Sequence, residues 1–484
     1  MNKVESIKAY PFLLNGEWKS STSERTIEMQ SPSGAGIPGK VQAMTESEVN
    51  TALTGAKDAQ KEWGRKSFDE RARLLYSWAD QLLLMKDEIA ETIMKEVGKG
   101  LASAEKEVIR TADFIKYTAE EGKRLHGELI NGGSFNSGSA NKFALVNRNP
   151  VGVVLAISPF NYPVNLAAAK IAPALIAGNA VVFKPATQGA ISGTRMIEAL
   201  DKAGLPSGLV NLVTGKGSEI GDYLITHPLV DLINFTGGSD TGKSISEKAS
   251  MVPVILELGG KDPAIVLEDA DLDKAASDIV SGGFSYSGQR CTAIKRVLVI
   301  DNKADKLVEN IKEKMESLKV GAPEDNADVT PLINRKATDF VTGLIEDAIE
   351  KGARVVSGNH REGNLIYPTL LDCVTKNMAI AWEEPFGPVI PVIRVESVDE
   401  AIDIANESQY GLQASIFTKN MEQAIRIGNE LEVGSVQING KTERGPDHFP
   451  FLGVKSSGVG VQGIRKSIES MTREKVTVLN MSQG

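Results

Sequence analysis

From residue 152 onward, short and almost wholly apolar runs alternate with longer segments of helical periodicity, and this alternation limits the possible folds more than any other feature. A first series of such runs comprises residues 152–157, 180–183, 209–213, 232–235 and 254–256. A second series comprises residues 264–266, 296–300, 389–393, 414–417 and 435–438. Strands that are apolar on both faces are typical of parallel sheets covered by helices. The sequence therefore predicts an α/β protein with two such sheets, the second beginning near Glu257.

The segment before this alternation predicts a block of helices over residues 45–122. Thr45 with Glu48, and Ser67 with Glu70, match the capping-box pattern at the start of a helix. Each pair is followed by apolar residues at helical spacing. We expect one helix to begin at each pair.

Two further segments predict small β-elements. Asn15 and Gly16 stand between apolar residues, which favours a tight hairpin because both residue types tolerate positive φ. Residues 128–150 are rich in glycine and serine and lead into a strand-like run, which fits either a projecting hairpin or an ordinary surface loop. The run at 475–480 predicts a final strand that could pair with this hairpin.

Length, charge and histidine usage exclude several classes of function. A chain of 484 residues is too long for one ordinary core, so two or three domains are expected. Its net charge of −9 argues against a nucleic-acid-binding protein, which would carry clustered Lys and Arg. The 4 histidines are scattered, without the spacing of metal ligands. We therefore predict no nucleic-acid partner and no metal site.

Cysteine content and hydropathy suggest the compartment. Cys291 and Cys373 are too few for a disulfide framework, and the first residues contain no apolar signal core. The most apolar segment, 164–183, is divided by Lys170 and Pro173, so no membrane span is expected. These features predict a cytoplasmic protein without a membrane partner.

Two glycine-rich turns follow predicted strands, where α/β proteins bind phosphates at the start of the next helix. The first contains Gly217, and the second begins at Gly237. The second also matches the P-loop pattern through Gly242, Lys243 and Ser244, so a nucleotide hydrolase is the rival interpretation. Against it, the motif follows the fourth strand of the series, and no later predicted strand ends in the paired apolar-then-Asp pattern that would hold magnesium.

Cys291 is the candidate nucleophile. It lies among small residues that leave room for a substrate, and Arg290 directly before it supplies a positive charge that favours the thiolate. The alternative at this point is a small buried side chain without a chemical role.

Motifs spread along nearly the whole chain identify a family. Glu257-Leu-Gly-Gly-Lys261 is followed by Gly288-Gln-Arg-Cys291. The other motifs are Ser158-Pro-Phe-Asn161-Tyr-Pro163, Lys184-Pro-Ala-Thr-Gln188, Phe235-Thr-Gly237, Glu384-Pro-Phe386-Gly-Pro-Val389 and Pro450-Phe-Leu-Gly453. In this order they resemble the aldehyde dehydrogenase superfamily. The resemblance implies oxidation of an aldehyde to an acid with a nicotinamide cofactor.

The resemblance also implies catalytic roles for three residues. Cys291 is expected to attack the carbonyl carbon. The Asn161 amide and the backbone N–H of Cys291 are expected to stabilise the oxyanion. Glu257 is expected to act as the general base for the water that hydrolyses the thioester. Because relatives that transfer the acyl group to coenzyme A typically lack this carboxylate, a hydrolytic enzyme is favoured.

The cofactor implied by the resemblance is NADP. Lys184 corresponds to the family's ligand for the adenosine ribose, and Thr187 stands where NAD-preferring relatives often carry glutamate. A 2′-phosphate would therefore meet Lys184 without repulsion. The other expected cofactor-binding residues are Gly217, Gly237, Glu384 and Phe386.

The substrate side is predicted to be cationic. Arg110, Tyr162, Arg290 and Arg444 together resemble the phosphate-binding set of non-phosphorylating glyceraldehyde-3-phosphate dehydrogenases. Those enzymes oxidise D-glyceraldehyde 3-phosphate to 3-phosphoglycerate with NADP. The alternatives are a succinate semialdehyde-type or broader aldehyde dehydrogenase and, from another class, a catalytically silent scaffold of the same fold. The presence of both Cys291 and Glu257 argues against the scaffold.

The resemblance finally implies a domain organisation. We expect a Rossmann-type cofactor domain from 1–125 and 148–256 and an α/β catalytic domain over 257–455. A small β oligomerisation element would consist of 126–147 and 456–484. A homotetramer is expected.

Overall fold

The computed structural model describes residues 7–135 and 139–481. Residues 1–6, 136–138 and 482–484 lie outside this description, and with them Ser137 and Gly138 of the predicted hairpin. The helices are α1 (Glu46–Trp63), α2 (Phe68–Leu84), α3 (Lys86–Val97), α4 (Leu101–Gly122), α5 (Asn165–Ala177), α6 (Ala190–Lys202), α7 (Gly217–Ile225), α8 (Ser239–Lys248), α9 (Leu272–Phe284), α10 (Asp301–Glu316), α11 (Arg335–Glu350), α12 (Val398–Asn406), α13 (Met421–Glu430) and α14 (Ile464–Ser470).

The strands are numbered in chain order, and from residue 153 onward they alternate with these helices. The first are β1 (Ala9–Tyr10), β2 (Phe12–Leu14), β3 (Glu17–Lys19), β4 (Thr26–Met29), β5 (Gly39–Gln42), β6 (Glu128–Asn131), β7 (Lys142–Pro150), β8 (Val153–Ile157), β9 (Ala180–Lys184), β10 (Val210–Leu212), β11 (Leu232–Thr236) and β12 (Val254–Glu257). The remaining ones are β13 (Pro263–Val266), β14 (Arg296–Ile300), β15 (Arg354–Ser357), β16 (Arg361–Glu362), β17 (Leu365–Ile366), β18 (Thr369–Asp372), β19 (Val389–Val395), β20 (Tyr410–Gly411), β21 (Gln413–Phe417), β22 (Ser435–Ile438), β23 (Val454–Lys455), β24 (Gly458–Val459) and β25 (Thr472–Asn480).

The predicted helix starts and the first hairpin are confirmed. In α1 the Thr45 hydroxyl accepts from the Glu48 N–H at 3.3 Å, while Glu48 Oε2 accepts from the Thr45 N–H at 2.8 Å. The same reciprocal pair of bonds joins Ser67 and Glu70 at the start of α2. Strands β2 and β3 pair antiparallel through a turn at residues 15–16, both with positive φ. Local side-chain chemistry therefore fixes these elements.

The first α/β unit contains a six-stranded sheet in the order β10-β9-β8-β11-β12-β24. Strands β8 to β12 are mutually parallel, and the short β24 is antiparallel to β12. The connections reverse direction between β8 and β11, because the chain moves outward through β9 and β10 on one side and through β11 and β12 on the other. A crevice opens at the carboxyl ends of strands at such a reversal, which is where this class of fold binds ligands.

The second unit contains a seven-stranded sheet in the order β15-β18-β19-β14-β13-β21-β22. Strands β15 and β18 were not among the predicted runs. The edge strand β15 has no fully buried residue, and β18 ends in the buried Asp372, which binds Arg394 at 2.8 Å. A search for wholly apolar runs therefore overlooks an edge strand and a strand that ends in a buried ion pair.

A separate three-stranded sheet has the order β25-β7-β6. Strand β25 pairs antiparallel with β7 along its whole length, from Thr472 opposite Pro150 to Asn480 opposite Lys142. The predicted pairing of the C-terminal strand with the 128–150 segment is thus confirmed. The predicted oligomerisation element also included β24 and α14. Strand β24 joins the six-stranded sheet, and α14 packs against α4 and α5. The predicted domain boundaries remain a prediction.

Within residues 7–135 and 139–481, none of the helices combines the length and the apolar character needed to cross a membrane.

Candidate active site

A cavity of about 700 Å³ opens at the carboxyl ends of the strands in the six-stranded sheet. Its wall includes the segments after β8, β9 and β11 and the first residue of α7, while the second unit contributes Cys291, Glu384 and Phe386. The sequence-predicted residues that line it are Asn161, Lys184, Thr187, Gly217, Gly237, Cys291, Glu384 and Phe386. The fold therefore brings all six predicted cofactor-binding residues to one cavity, together with the predicted nucleophile.

The loop that carries Cys291 is bent by three consecutive residues of positive φ. Tyr286, Ser287 and Gly288 have φ of 50°, 55° and 71°. Ser287 Oγ donates to the Thr330 carbonyl at 2.7 Å and accepts from its N–H at 2.8 Å, so the strained turn is fixed. A Cβ at Gly288 would lie 2.3 Å from the Gly387 carbonyl oxygen. Only glycine fits at that position.

Cys291 Sγ lies 3.6 Å from Oε1 of Glu257, the last residue of β12. Burial raises the pKa of the Cys291 thiol above its usual range, and the negative charge of Glu257 raises it further. The positive charges of Lys295 and Arg444 lower it. Lys295 and Arg444, rather than the sequence-predicted Arg290, are thus the cations that lower the pKa of this thiol.

Asn161 lies in the segment after β8, beside the loop of the nucleophile. Its Nδ2 donates to the Gln289 carbonyl at 2.9 Å, and its Oδ1 has no donor among the described residues. The amide is buried and lines the cavity together with Cys291. An amide N–H next to a nucleophile can stabilise negative charge on an oxygen of the substrate.

Glu257 is the centre of a buried hydrogen-bond network. Its Oε2 accepts from Arg444 Nη1 at 2.7 Å and from Thr236 Oγ1 at 3.2 Å. Thr236 Oγ1 is also 2.6 Å from Nζ of Lys170 in α5. Burial lowers the pKa of Lys170 to about 7. Thr236 and Lys170 were not predicted from the sequence to be functional, although the lysine within an otherwise apolar helix was an available signal.

Two of the predicted substrate-side arginines are linked to each other. Arg444 also donates to Gln462 Oε1 at 2.8 Å, besides Glu257. Arg110 binds Asp447 through two bonds of 2.7 and 2.8 Å and donates to the Arg444 carbonyl at 2.5 Å. The Asp447 carboxylate holds the pKa of Arg110 above its ordinary value, against the effect of burial. Both guanidinium groups thus already have anionic partners.

The other two substrate-side residues lie in different surroundings. The Tyr162 ring stands 3.7 Å from Nζ of the buried Lys99. Arg290 Nη2 donates to the Gly282 carbonyl at 2.9 Å, with longer bonds of 3.4 and 3.5 Å to two further carbonyls. Its Nε has no partner among the described residues. Arg110 and Arg444 thus share a direct bond, whereas Tyr162 and Arg290 contact other partners, and the role of all four residues stays a prediction.

The cavity suits a dinucleotide. Lys184 Nζ donates to the Pro185 carbonyl at 3.2 Å, and burial lowers its pKa to about 8, so a nearby anion would stabilise its charged form. Helix α7 begins at the cavity with Gly217, and α8 begins there beside Gly238. Backbone N–H groups at such helix starts bind phosphates.

The rival P-loop interpretation concerns the same wall of the cavity. Residues 237–244 do connect a strand to a helix, but Gly237 and Ser244 line the cavity that also contains Cys291, and Lys243 is exposed. No His, Cys, Asp and Glu cluster suited to a metal ion occurs in the described part of the chain. This glycine turn thus belongs to the wall beside the nucleophile.

Comparison with known proteins agrees with this geometry. The model of the aldehyde dehydrogenase family matches residues 18–477. An NADP-dependent glyceraldehyde-3-phosphate dehydrogenase of Streptococcus equinus is 56% identical over 98% of this chain and 100% of its own. The crystal structure of an NADP-dependent glyceraldehyde-3-phosphate dehydrogenase from Bacillus halodurans C-125, complexed with NADP, is 61% identical, with a TM-score of 0.97 over 99% of this chain and 100% of its own.

A more distant relative is a 3-sulfolactaldehyde dehydrogenase of Priestia aryabhattai, 39% identical over 99% of this chain and 100% of its own. The family model and the close relatives each span nearly the whole sequence, and the cavity unites the predicted nucleophile and cofactor wall, with Glu257 3.6 Å from the Cys291 sulfur. The chain belongs to the aldehyde dehydrogenase family.

Proposed function

We propose that this protein oxidises D-glyceraldehyde 3-phosphate to 3-phosphoglycerate with NADP and water, without inorganic phosphate. The observation that carries the proposal is the pairing of Cys291 with Glu257, Sγ to Oε1 3.6 Å, beside a cavity that fits a dinucleotide. The relatives from Streptococcus equinus and Bacillus halodurans, both named for this substrate and for NADP, support it.

In the first half of the reaction Cys291 attacks the aldehyde carbon as a thiolate and forms a thiohemiacetal. Lys295 and Arg444 favour the thiolate electrostatically. The Asn161 amide and the Cys291 N–H stabilise the oxyanion, each by about 3 kcal/mol. NADP, when bound, supplies the acceptor for the hydride that leaves the substrate carbon.

In the second half a water molecule attacks the thioester on Cys291. Glu257 accepts the proton of this water, and Cys291 leaves as the thiolate when 3-phosphoglycerate is released. For this step the Oε1 atom is well placed, because Oε2 is already held by Arg444 and Thr236. A fixed carboxylate beside the thioester favours water over another acceptor such as coenzyme A.

NADP would be held by the residues that line the cavity. Lys184 and the hydroxyl of Thr187 would face the adenosine ribose and its 2′-phosphate, since this part of the wall presents an ammonium without a carboxylate at 187. The start of α7 at Gly217 and the turn at Gly237 that leads into α8 would face the pyrophosphate. Glu384 and Phe386 would hold the nicotinamide end.

The phosphate of the substrate would be bound by Arg444, Arg110, Tyr162 and Arg290, of which Arg290 retains a free Nε among the described residues. An incoming phosphate would compete with Asp447 for Arg110. It could displace Asp447 because it would accept charge-assisted hydrogen bonds from several donors at once. The sulfo group in the name of the Priestia relative is likewise anionic. A succinate semialdehyde-type substrate is the alternative, because its carboxylate could use the same cations.

We further propose a cytoplasmic homotetramer that acts on a glycolytic intermediate. The three-stranded sheet exposes apolar side chains on two strands, namely Leu129, Ile130, Val476, Val478 and Leu479. Such a patch is typical of a subunit interface. Light scattering after size exclusion should give four times the mass of the chain.

The test of the function is NADPH formation in phosphate-free buffer. Glyceraldehyde 3-phosphate should be oxidised much faster than succinate semialdehyde, and Arg444→Ala should reduce this preference. A strict need for inorganic phosphate, or a higher rate with succinate semialdehyde, would defeat the proposal.

A further inference from the structure

Lys295 connects the Cys291 loop to Glu384 in the cofactor wall, and its only role in the reaction described above is an electrostatic effect on the thiol. It directly precedes β14, and only 2% of its surface is exposed. Its ammonium donates to the backbone carbonyl of Cys291 and lies 3.1 Å from Oε1 of Glu384. One buried cation thus contacts the nucleophile's own peptide unit and a carboxylate of the cofactor wall.

The contacts of Glu384 leave one of its oxygens for a ligand. Oε1 accepts from the Gly260 N–H at 3.2 Å as well as from Lys295. Oε2 lies over Gly259, where an added Cβ would approach it to 2.2 Å. Lys295 and the Gly260 N–H thereby orient the carboxylate, and Oε2 remains for the cavity that Glu384 lines.

The next residue in the chain, Arg296, also helps to hold the segment that carries Glu384. Arg296 is fully buried and donates to the carbonyls of Lys261, Ala381 and Ala405, at 3.2 to 3.3 Å. Ala381 lies just before the segment that carries Glu384. Residues 295 and 296 therefore fix both the backbone and the carboxylate of this segment relative to the nucleophile.

We propose that Lys295 is a positioning residue that holds the Glu384 carboxylate and the Cys291 peptide in one fixed arrangement. The nicotinamide end of the cofactor and the thiol thereby keep a fixed position relative to each other. The inference rests on the proposed NADP-dependent function. Without the Lys295 ammonium, the Glu384 carboxylate and the buried carbonyl of Cys291 would each lose a charged donor. A buried polar group left mobile or unpaired costs free energy. The position of Lys295 also stabilises the thiolate, because its charge lowers the pKa of Cys291.

The experiment compares Lys295→Met, which keeps the length but loses the charge, with Lys295→Arg, which keeps the charge. Lys274→Met, which removes an exposed lysine paired with Asp278 on α9, is the matched control. Two readouts are taken without an aldehyde: the Kd of NADP by fluorescence titration, and the pH profile of Cys291 alkylation by iodoacetamide in the cofactor-free enzyme.

For Lys295→Met we expect the Kd of NADP to rise at least about tenfold, since a lost bond to a charged group corresponds to at least that factor. The alkylation profile should move to higher pH. Lys295→Arg should recover most of the alkylation profile, and Lys274→Met should match the wild type in both readouts. If Lys295→Met does not fold, Lys295→Gln takes its place with the same expectations.

A folded Lys295→Met or Lys295→Gln protein with the wild-type Kd for NADP and the wild-type alkylation profile would overturn the proposal. An unchanged Kd with a shifted profile would also overturn it, because Lys295 would then act on the thiol alone. Since neither readout uses glyceraldehyde 3-phosphate, a wrong substrate assignment would leave both results interpretable.

Discussion

The cofactor wall of the cavity and the proposed substrate mouth, which comprises Arg110, Arg290 and Arg444, are built in different ways. The wall consists of strand ends and helix starts, and every residue predicted for it from sequence lines the cavity. The mouth consists of long cationic side chains, and each of them is already engaged: Arg444 by Glu257, Arg110 by Asp447, and Arg290 by backbone carbonyls. The backbone therefore shapes the wall in advance, whereas the arginines of the proposed mouth would have to exchange internal partners to bind a substrate phosphate.

The largest expected effect lies where the two regions meet, at Glu257. Glu257→Gln should lower steady-state kcat by about 10²–10⁴-fold, because the water that hydrolyses the thioester loses its base. The same change should accelerate alkylation of Cys291 in the cofactor-free enzyme near neutral pH. Glu257 raises the pKa of the thiol, so its neutralisation lowers that pKa and increases the thiolate fraction. Slower alkylation would mean that Glu257 deprotonates the thiol instead.

A smaller but still large effect is expected at the mouth. Arg444→Ala should reduce kcat/KM for glyceraldehyde 3-phosphate by about 10²-fold, because it removes a charge-assisted donor and leaves Glu257 without its cation. The reduction for unphosphorylated glyceraldehyde should be clearly smaller. An equal reduction of kcat/KM for the two aldehydes would show that Arg444 acts only on Glu257. Arg444 would then not belong to the proposed substrate mouth.

On the wall, Thr187→Glu should change the preference for the cofactor. A carboxylate near the expected 2′-phosphate should reduce kcat/KM with NADP by about tenfold or more, while NAD is used at least as well as before. Thr187→Gln has a similar size without the charge and is the matched control. If Thr187→Gln reduced kcat/KM with NADP by the same factor, steric crowding rather than charge would determine the preference between NADP and NAD.

The smallest effect is expected from Asp447→Asn, which frees Arg110. The pair is partly exposed, with 42% of the Arg110 side chain accessible, so its contribution is about 0–1 kcal/mol. We expect KM for glyceraldehyde 3-phosphate to fall by about twofold, because the phosphate no longer competes with Asp447. An increase in KM would mean that Asp447 orients Arg110 for the substrate.

The same contrast explains what the sequence could predict. The apolar strands of the six-stranded sheet and the glycine turns after them follow from local pattern, so the positions of Lys184 and Gly217 were predictable. Lys170 and Lys295 were not assigned roles, because a buried lysine acquires its role only from the residues that the fold places around it. Partner choice at Arg110 and Arg444 depends on Asp447 and on Glu257, which are distant in sequence.

In the proposed mechanism, Cys291 forms the acyl intermediate and Glu257 releases it. Glu257→Gln protein mixed with NADP and glyceraldehyde 3-phosphate, quenched in acid within one turnover and digested, should carry a phosphoglyceroyl group on the peptide that contains Cys291. The wild-type enzyme should show little of this adduct under the same conditions. Mass spectrometry that finds no adduct on Cys291 in the variant, or finds it on another residue while NADPH is formed, would contradict the account.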